Sequence, residues 1–92
     1  MTCSIVFTKK ARKQIDKLDP KQKQIIKAWI RDNLQDCKNP RRVANSDVLK
    51  GVAGGWRYRV GKYRLLTVIK DSEITVEVFR VGHRKSVYER LS

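Results

Sequence analysis

The stretch Trp56-Arg57-Tyr58-Arg59-Val60-Gly61-Lys62-Tyr63-Arg64-Leu65-Leu66-Thr67-Val68-Ile69 decides the fold. Aromatic and aliphatic residues recur at every second position on either side of Gly61-Lys62, the pattern of two strands joined by a two-residue turn. That turn sets Val60 opposite Tyr63, Arg59 opposite Arg64 and Arg57 opposite Leu66. Successive side chains of a strand point to opposite faces. Trp56, Tyr58 and Val60 therefore share one face with Tyr63, Leu65, Thr67 and Ile69, the face for helices to cover. The other face carries Arg57, Arg59 and Arg64.

Downstream, Lys70 to Glu73 reads as a second turn and Ile74 to Val81 as a third strand. A turn centred on Asp71-Ser72 sets Ile69 against Ile74, Leu66 against Glu77 and Arg64 against Phe79, which brings Thr75, Glu77 and Phe79 onto the arginine face. Glu77 reads there as a counter-ion for Arg57. Gly82 interrupts the pattern, and Arg84 to Leu91 has room only for a short helix or an irregular tail. Upstream, Ser4 to Phe7 reads as a strand with Thr8 as the following N-cap. Ala11, Ile15 and Leu18 then mark an amphipathic helix of about three turns. Asp19-Pro20 pairs an N-cap with proline at the first helical position. Ile25, Ile26, Trp29, Ile30 and Leu34 form the stripe of a second helix, with Cys37 to close it. Asn39-Pro40 stops that helix, and Arg41 to Asp47 reads as a loop. The expectation is a single α+β domain over 1–92, ordered β-α-α-β-β-β: a strand and a two-helix hairpin, the helices packed on one face of a mainly antiparallel sheet.

Twenty-two Lys and Arg against nine Asp and Glu give a net charge of +13 on 92 residues. A charge that large implies a polyanionic partner: nucleic acid, an anionic membrane surface or an acidic protein. No apolar run approaches the roughly 18 residues of a membrane span, and the apolar start is too short for a signal peptide, so the expected location is the cytoplasm. A reducing compartment would keep Cys3 and Cys37 as thiols. With His83 as the only histidine, no metal-ligand spacing is present, and neither a metal nor another cofactor is expected. P-loop, G-x-G-x-x-G and H-E-x-x-H motifs are missing from the sequence.

Two arginines facing each other across a ladder repel, so a purely structural sheet gains nothing from Arg59 opposite Arg64. One reading is a solvated outer face in a very basic protein. The other is a phosphate cradle in which guanidinium groups make bidentate contacts to phosphate oxygens. The tail after the third strand adds His83, Arg84, Lys85 and Tyr88, and an imidazole with a reference pKa of about 6.5 suits acid–base work.

The layout Leu49-Lys50-Gly51, Trp56-Arg57-Tyr58-Arg59-Val60, Tyr63-Arg64-Leu65 and Val81-Gly82-His83-Arg84, with Val87-Tyr88, resembles the RelE branch of the RelE/ParE toxin superfamily. Each piece is weak alone and the combination, spanning nearly the whole chain, is specific. The resemblance implies a ribosome-dependent endoribonuclease toxin that cuts messenger RNA in the ribosomal A site. There the ribose 2′-OH is the nucleophile, the product is a 2′,3′-cyclic phosphate, and no metal takes part. It also implies an acidic, RelB-like antitoxin as partner, besides the ribosome and mRNA, and no membrane. By motif, the functional positions fall on Arg57, Arg59, Arg64, Arg84 and Tyr88, with His83 just before Arg84 where relatives vary.

One departure concerns Arg57, because the best-known member holds at that position a Lys assigned as the base. An arginine, with a pKa above about 12, does not surrender its proton readily. The base is then His83, Tyr88 or Glu77, or catalysis rests on positioning and charge. Phe79 or Tyr88 can stack on a base at the cut site, and Lys9, Lys10, Lys13, Lys21, Lys23 and Lys27 form a dock for ribosomal RNA. Two other functions fit the same chain: a ParE-like inhibitor of DNA gyrase, and a nucleic-acid-binding module without catalysis.

Overall fold

Gly61 takes the left-handed conformation with φ +58°, which costs glycine nothing, and it closes the hairpin in two residues. The computed structural model describes residues 3–71 and 74–88. The elements are β1 (Ser4–Phe7), α1 (Lys9–Asp16), α2 (Pro20–Asn33), a 3₁₀ turn (Pro40–Arg42), β2 (Ser46–Val48), β3 (Gly55–Val60), β4 (Tyr63–Lys70) and β5 (Thr75–His83). They form one five-stranded sheet in the order β1-β5-β4-β3-β2. β1 runs parallel to β5, and every other pairing is antiparallel. The architecture is α+β, as expected.

Both helices begin where their caps predict. The Thr8 side chain accepts from the Ala11 N–H, and Asp19 accepts from the Gln22 N–H at 2.8 Å with Pro20 at the start of the helix. α1 ends at Asp16, shorter than the expected three turns, and Leu18 packs on the core from the connection. Ala11, Ile15, Ile26, Ile30 and Leu34 bury against Tyr58, Val60, Leu65, Ile69, Val76, Val78 and Val81, so the helices cover the expected face. Ile25 stands outside the stripe, 45% exposed. A second cluster of Leu49, Leu66 and Val87 lies on the arginine face, with Val52, Phe79 and Tyr88 packed around it.

The hairpin register is the expected one, with Val60 opposite Tyr63, Arg59 opposite Arg64 and Arg57 opposite Leu66. Three other expectations are corrected. First, the loop from Arg41 to Asp47 contains a 3₁₀ turn and runs into the edge strand β2, which places Asp47 directly opposite Arg57. Three residues are too few to carry a readable period.

Second, Lys70 pairs with Thr75, so four positions rather than two separate β4 from β5, and Ile69 faces Val76 instead of Ile74. Ser72 of the expected turn lies outside the described residues, as does the last part of the expected tail, 89–91. A slip of two positions changes partners and keeps faces, so Thr75 and Glu77 stay on the arginine face. A bulge between Leu66 and Thr67 then adds one more position: Thr67 pairs with Val78 while Leu66 pairs with Arg80. An odd shift reverses the faces of everything beyond it.

Third, Cys3 and Cys37 are joined by a disulfide rather than held as thiols. Their separation of 34 positions conceals that the start of β1 runs beside the chain leaving α2, where the Cys3 N–H donates to the Cys37 carbonyl at 2.8 Å. Closing a loop of 34 residues is worth about 3–4 kcal/mol in the chain-entropy account.

The segment between Cys37 and β2 is anchored from the core outward. The buried Tyr58 hydroxyl donates to the Pro40 carbonyl at 2.7 Å, and burial pushes its phenol pKa well above the ordinary value. Arg41 makes a two-pronged contact with Asp71 at 2.7 and 3.2 Å, and that hydrogen bond holds the Asp71 carboxyl below its usual pKa. The Arg59 N–H donates to the Asn45 carbonyl at 2.8 Å.

Two outcomes test this anchoring. Tyr58→Phe strands the Pro40 carbonyl in a buried site and should cost about 1–3 kcal/mol in a urea melt. A depressed carboxylate pKa contributes stability above the unfolded value of about 3.9, lost as pH falls through the folded value. The stability gap between wild type and Asp71→Asn should therefore be present at neutral pH and close in acid. A gap that persists in acid contradicts the ion pair.

Candidate nucleic-acid interface

The site grows from the pairing of β2 with β3. Because Asp47 is opposite Arg57, its carboxylate stands on the arginine face, with Oδ2 3.5 Å from the Arg57 guanidinium. The other oxygen, Oδ1, accepts from the Val48 N–H at 2.7 Å, which fixes the carboxylate. On its far side the Arg57 guanidinium donates to the Tyr88 hydroxyl at 3.4 Å and sits 5.8 Å from the centre of the Tyr88 ring. Arg57 is thus held between an acid and a phenol. Asp47, Val48, Leu49, Lys50, Arg57 and Tyr88 line an open cleft of about 420 Å³.

Tyr88 reaches Arg57 because the bulge seats the tail. It turns Arg80 onto the arginine face opposite Leu66, where the guanidinium donates to the Val87 carbonyl at 3.1 Å. Gly82 lies opposite Arg64, and a Cβ there would stand 3.2 Å from the Val87 side chain. The missing side chain makes room for Val87 to bury against Leu66, and Tyr88 follows.

Arg59 and Arg64 lie opposite each other, with Arg59 exposed. Arg64 folds back over the hairpin turn and donates to the Gly61 and Tyr63 carbonyls at 3.0 and 2.9 Å. The exposed Arg84 is placed against the same turn by its N–H, which donates to the Lys62 carbonyl at 2.8 Å. Arg57, Arg59 and Arg64 therefore share one face, with Arg84 beside the turn at its end. Guanidinium groups so arranged suit phosphate oxygens.

His83 is turned away from this face. Beyond the bulge it comes opposite Tyr63, with ring centres 5.7 Å apart, and its Nδ1 accepts from the Lys85 N–H at 3.1 Å. Glu77 does not serve Arg57. It pairs with Lys70 at 3.6 Å, at the far end of the sheet. Phe79 is the extra residue of the bulge and packs on the Leu49, Leu66 and Val87 cluster, which engages it in packing rather than leaving it free to stack. Lys9, Lys10, Lys13, Lys21, Lys23 and Lys27 lie on α1 and α2, the layer covering the opposite face, so the structure separates this set from the arginines. The two residues that sequence reasoning passed over are Asp47 and Arg80. Asp47 sat in a segment too short to read as a strand, and the face of Arg80 depends on a bulge with no local signal.

The chain matches, over residues 5–88, the family described as the ParE toxin of type II toxin–antitoxin system, parDE. It is 35% identical over 91 residues to Toxin RelG of Mycobacterium tuberculosis, which covers 98% of this chain and 100% of that one. A chain of the toxin–antitoxin complex RelBE2 of Mycobacterium tuberculosis superposes with a TM-score of 0.76 at 32% identity, covering 91% of this chain and 93% of that one. A chain of the RelB–RelE antitoxin–toxin complex from Methanococcus jannaschii does so with a TM-score of 0.68 at 25% identity, covering 95% and 99%. Fold and sequence together define a toxin of a type II toxin–antitoxin system. The chain belongs to the RelE/ParE toxin superfamily.

Arg64→Ala relieves the repulsion with Arg59, worth a few tenths of a kcal/mol, and gives up two hydrogen bonds to carbonyls at the turn. The two effects oppose each other, so the variant should melt cooperatively within about 1 kcal/mol of wild type. Loss of the cooperative transition contradicts the outward placement of Arg64.

Proposed function

We propose that this toxin is a ribosome-dependent endoribonuclease that cuts mRNA in the A site, acting in the cytoplasm without metal or other cofactor. An antitoxin neutralises it, acidic to match the net charge of +13 and of the RelB kind, as in the solved toxin–antitoxin complexes of its structural relatives. The observation that carries this reading is Arg57 held between Asp47 and Tyr88 in an open cleft, on the same face as Arg59 and Arg64. A face built only for solubility has no use for a fixed carboxylate and a phenol closing on one guanidinium.

In this reading the 2′-hydroxyl attacks the adjacent phosphorus and the 5′-oxygen leaves, giving a 2′,3′-cyclic phosphate and a 5′-hydroxyl. The Asp47 carboxylate takes the proton of the 2′-hydroxyl, and the leaving oxygen receives its proton from the Tyr88 hydroxyl or from water. Negative charge gathers on the phosphoryl oxygens, and Arg57, Arg59, Arg64 and Arg84 stabilise it. Loss of one such donor costs on the order of 10²–10³ in rate. A carboxylate weakens phosphate binding wherever it stands, and its place beside Arg57 is explained by a task in proton transfer. The helix lysines contribute the salt-dependent hold on ribosomal RNA.

Brief induction in cells followed by primer extension should show cuts inside translated regions, and purified toxin should cut ribosome-bound mRNA while leaving naked RNA intact. Intact mRNA together with inhibited gyrase would instead establish the ParE-like activity. On ribosomes, Asp47→Asn should lower the single-turnover rate by about 10²-fold or more, and His83→Ala should stay within about threefold of wild type. The reverse ranking returns proton transfer to the histidine.

A further inference from the structure

The disulfide between Cys3 and Cys37 has no part in the chemistry above, yet it closes the loop that holds both helices. The two Cα atoms are 5.3 Å apart, and the backbone itself ties the same residues through the Cys3 N–H and the Cys37 carbonyl. A backbone contact and the bond thus tie the same two positions. Cys3 is buried at the edge of the core, and neither cysteine belongs to the two apolar clusters that the helices and the tail bury. Cys3 is 4% exposed and Cys37 is half-buried, so Cys37 is the sulfur that a reagent in solution meets first.

We propose that Cys3 and Cys37 form a reversible redox staple, which sets the conformational stability of the toxin and leaves its chemistry unchanged. β1 is a four-residue edge strand. It is held by β5 on one side, and at its start by the Cys37 contact on the other. With the bond intact, the unfolded chain is constrained and the start of β1 cannot fray from the segment after α2. With the bond reduced, both constraints relax. The cleft is insulated, because the Tyr58 contact to Pro40, the Arg41–Asp71 pair and the Arg59 contact to Asn45 all lie between Cys37 and Asp47.

The redox partner is a disulfide of the glutathione class. The Cys37 thiolate attacks one sulfur of glutathione disulfide and expels one glutathione thiolate. The Cys3 thiolate then attacks the Cys37 sulfur of the mixed disulfide and expels the second. The protein loses two electrons and two protons, glutathione disulfide gains them as two thiols, and reduced glutathione reverses the sequence.

The test equilibrates the full chain in graded mixtures of reduced and oxidised glutathione. Free thiols are counted by maleimide mass shift, and each sample is melted by circular dichroism. Thiol content should titrate between two and none, and both end states should melt cooperatively. The oxidised form should melt higher by about 10 °C or more. Cys3→Ser and Cys37→Ser should each melt like the reduced wild type in every mixture. Single-turnover cleavage by the two redox forms should agree within about twofold, against the 10²-fold scale of losing a catalytic group.

Coincident melts overturn the proposal, as does a reduced form without a cooperative transition, a bond that never forms across the mixtures, or a cleavage rate that follows redox state. The thiol count and the melt do not use RNA. Their failure leaves the nuclease reading standing, and a toxin that cuts no RNA leaves the staple standing.

Discussion

The structure depends on a parity constraint set by the Gly61-Lys62 turn. A two-residue turn pairs Val60 with Tyr63, and from there each strand residue has only two places to point. Tyr58, Val60, Leu65 and Ile69 enter the core under the helices, and Arg57, Arg59 and Arg64 face outward by the same rule. A turn longer or shorter by one residue would exchange the two sets on β4. It would bury Arg64 and expose Leu65. The apolar set therefore enforces the register, and the arginines inherit their common face from it.

The bulge between Leu66 and Thr67 is the second device acting on parity, and it separates the two halves of β5. Before it, Glu77 shares the arginine face. Beyond it, Arg80 and Gly82 take that face, while Val81 turns into the core and His83 turns to Tyr63. One added residue thus brings in a cation, clears a space for Val87 and removes the imidazole from the cleft. Bulges often re-aim a side chain next to a functional site, and here the re-aimed residues decide whether Tyr88 can reach Arg57.

This separation explains what could be read in the sequence and what could not. The hairpin, its register, both helix caps and the arginine face follow from local periodicity and turn chemistry, and all are present in the fold. The partners along β5 were hidden because the β4–β5 connection and the bulge are tertiary choices that leave no periodic mark. Asp47 and the disulfide were hidden for a related reason. Each joins segments whose proximity depends on packing: β2 lies on an edge beside β3, and the start of β1 runs beside the end of α2. The resemblance to the RelE branch supplied the family, and it carried no information about an acid facing Arg57.

The central claim is that chemistry belongs to the arginine face while the helix face only docks. The most direct test measures single-turnover cleavage of ribosome-bound mRNA as a function of ribosome concentration, for Arg57→Ala and for the combined replacement of Lys13, Lys21 and Lys27 by alanine. The account predicts that Arg57→Ala lowers the saturated rate by about 10²-fold or more, with half-saturation little changed. The lysine variant should instead need more ribosome to saturate, with a shallower dependence of that half-saturation on added salt, and then reach the wild-type rate. A lysine variant slow at saturation, or an Arg57→Ala toxin that cleaves at full rate once bound, would contradict it.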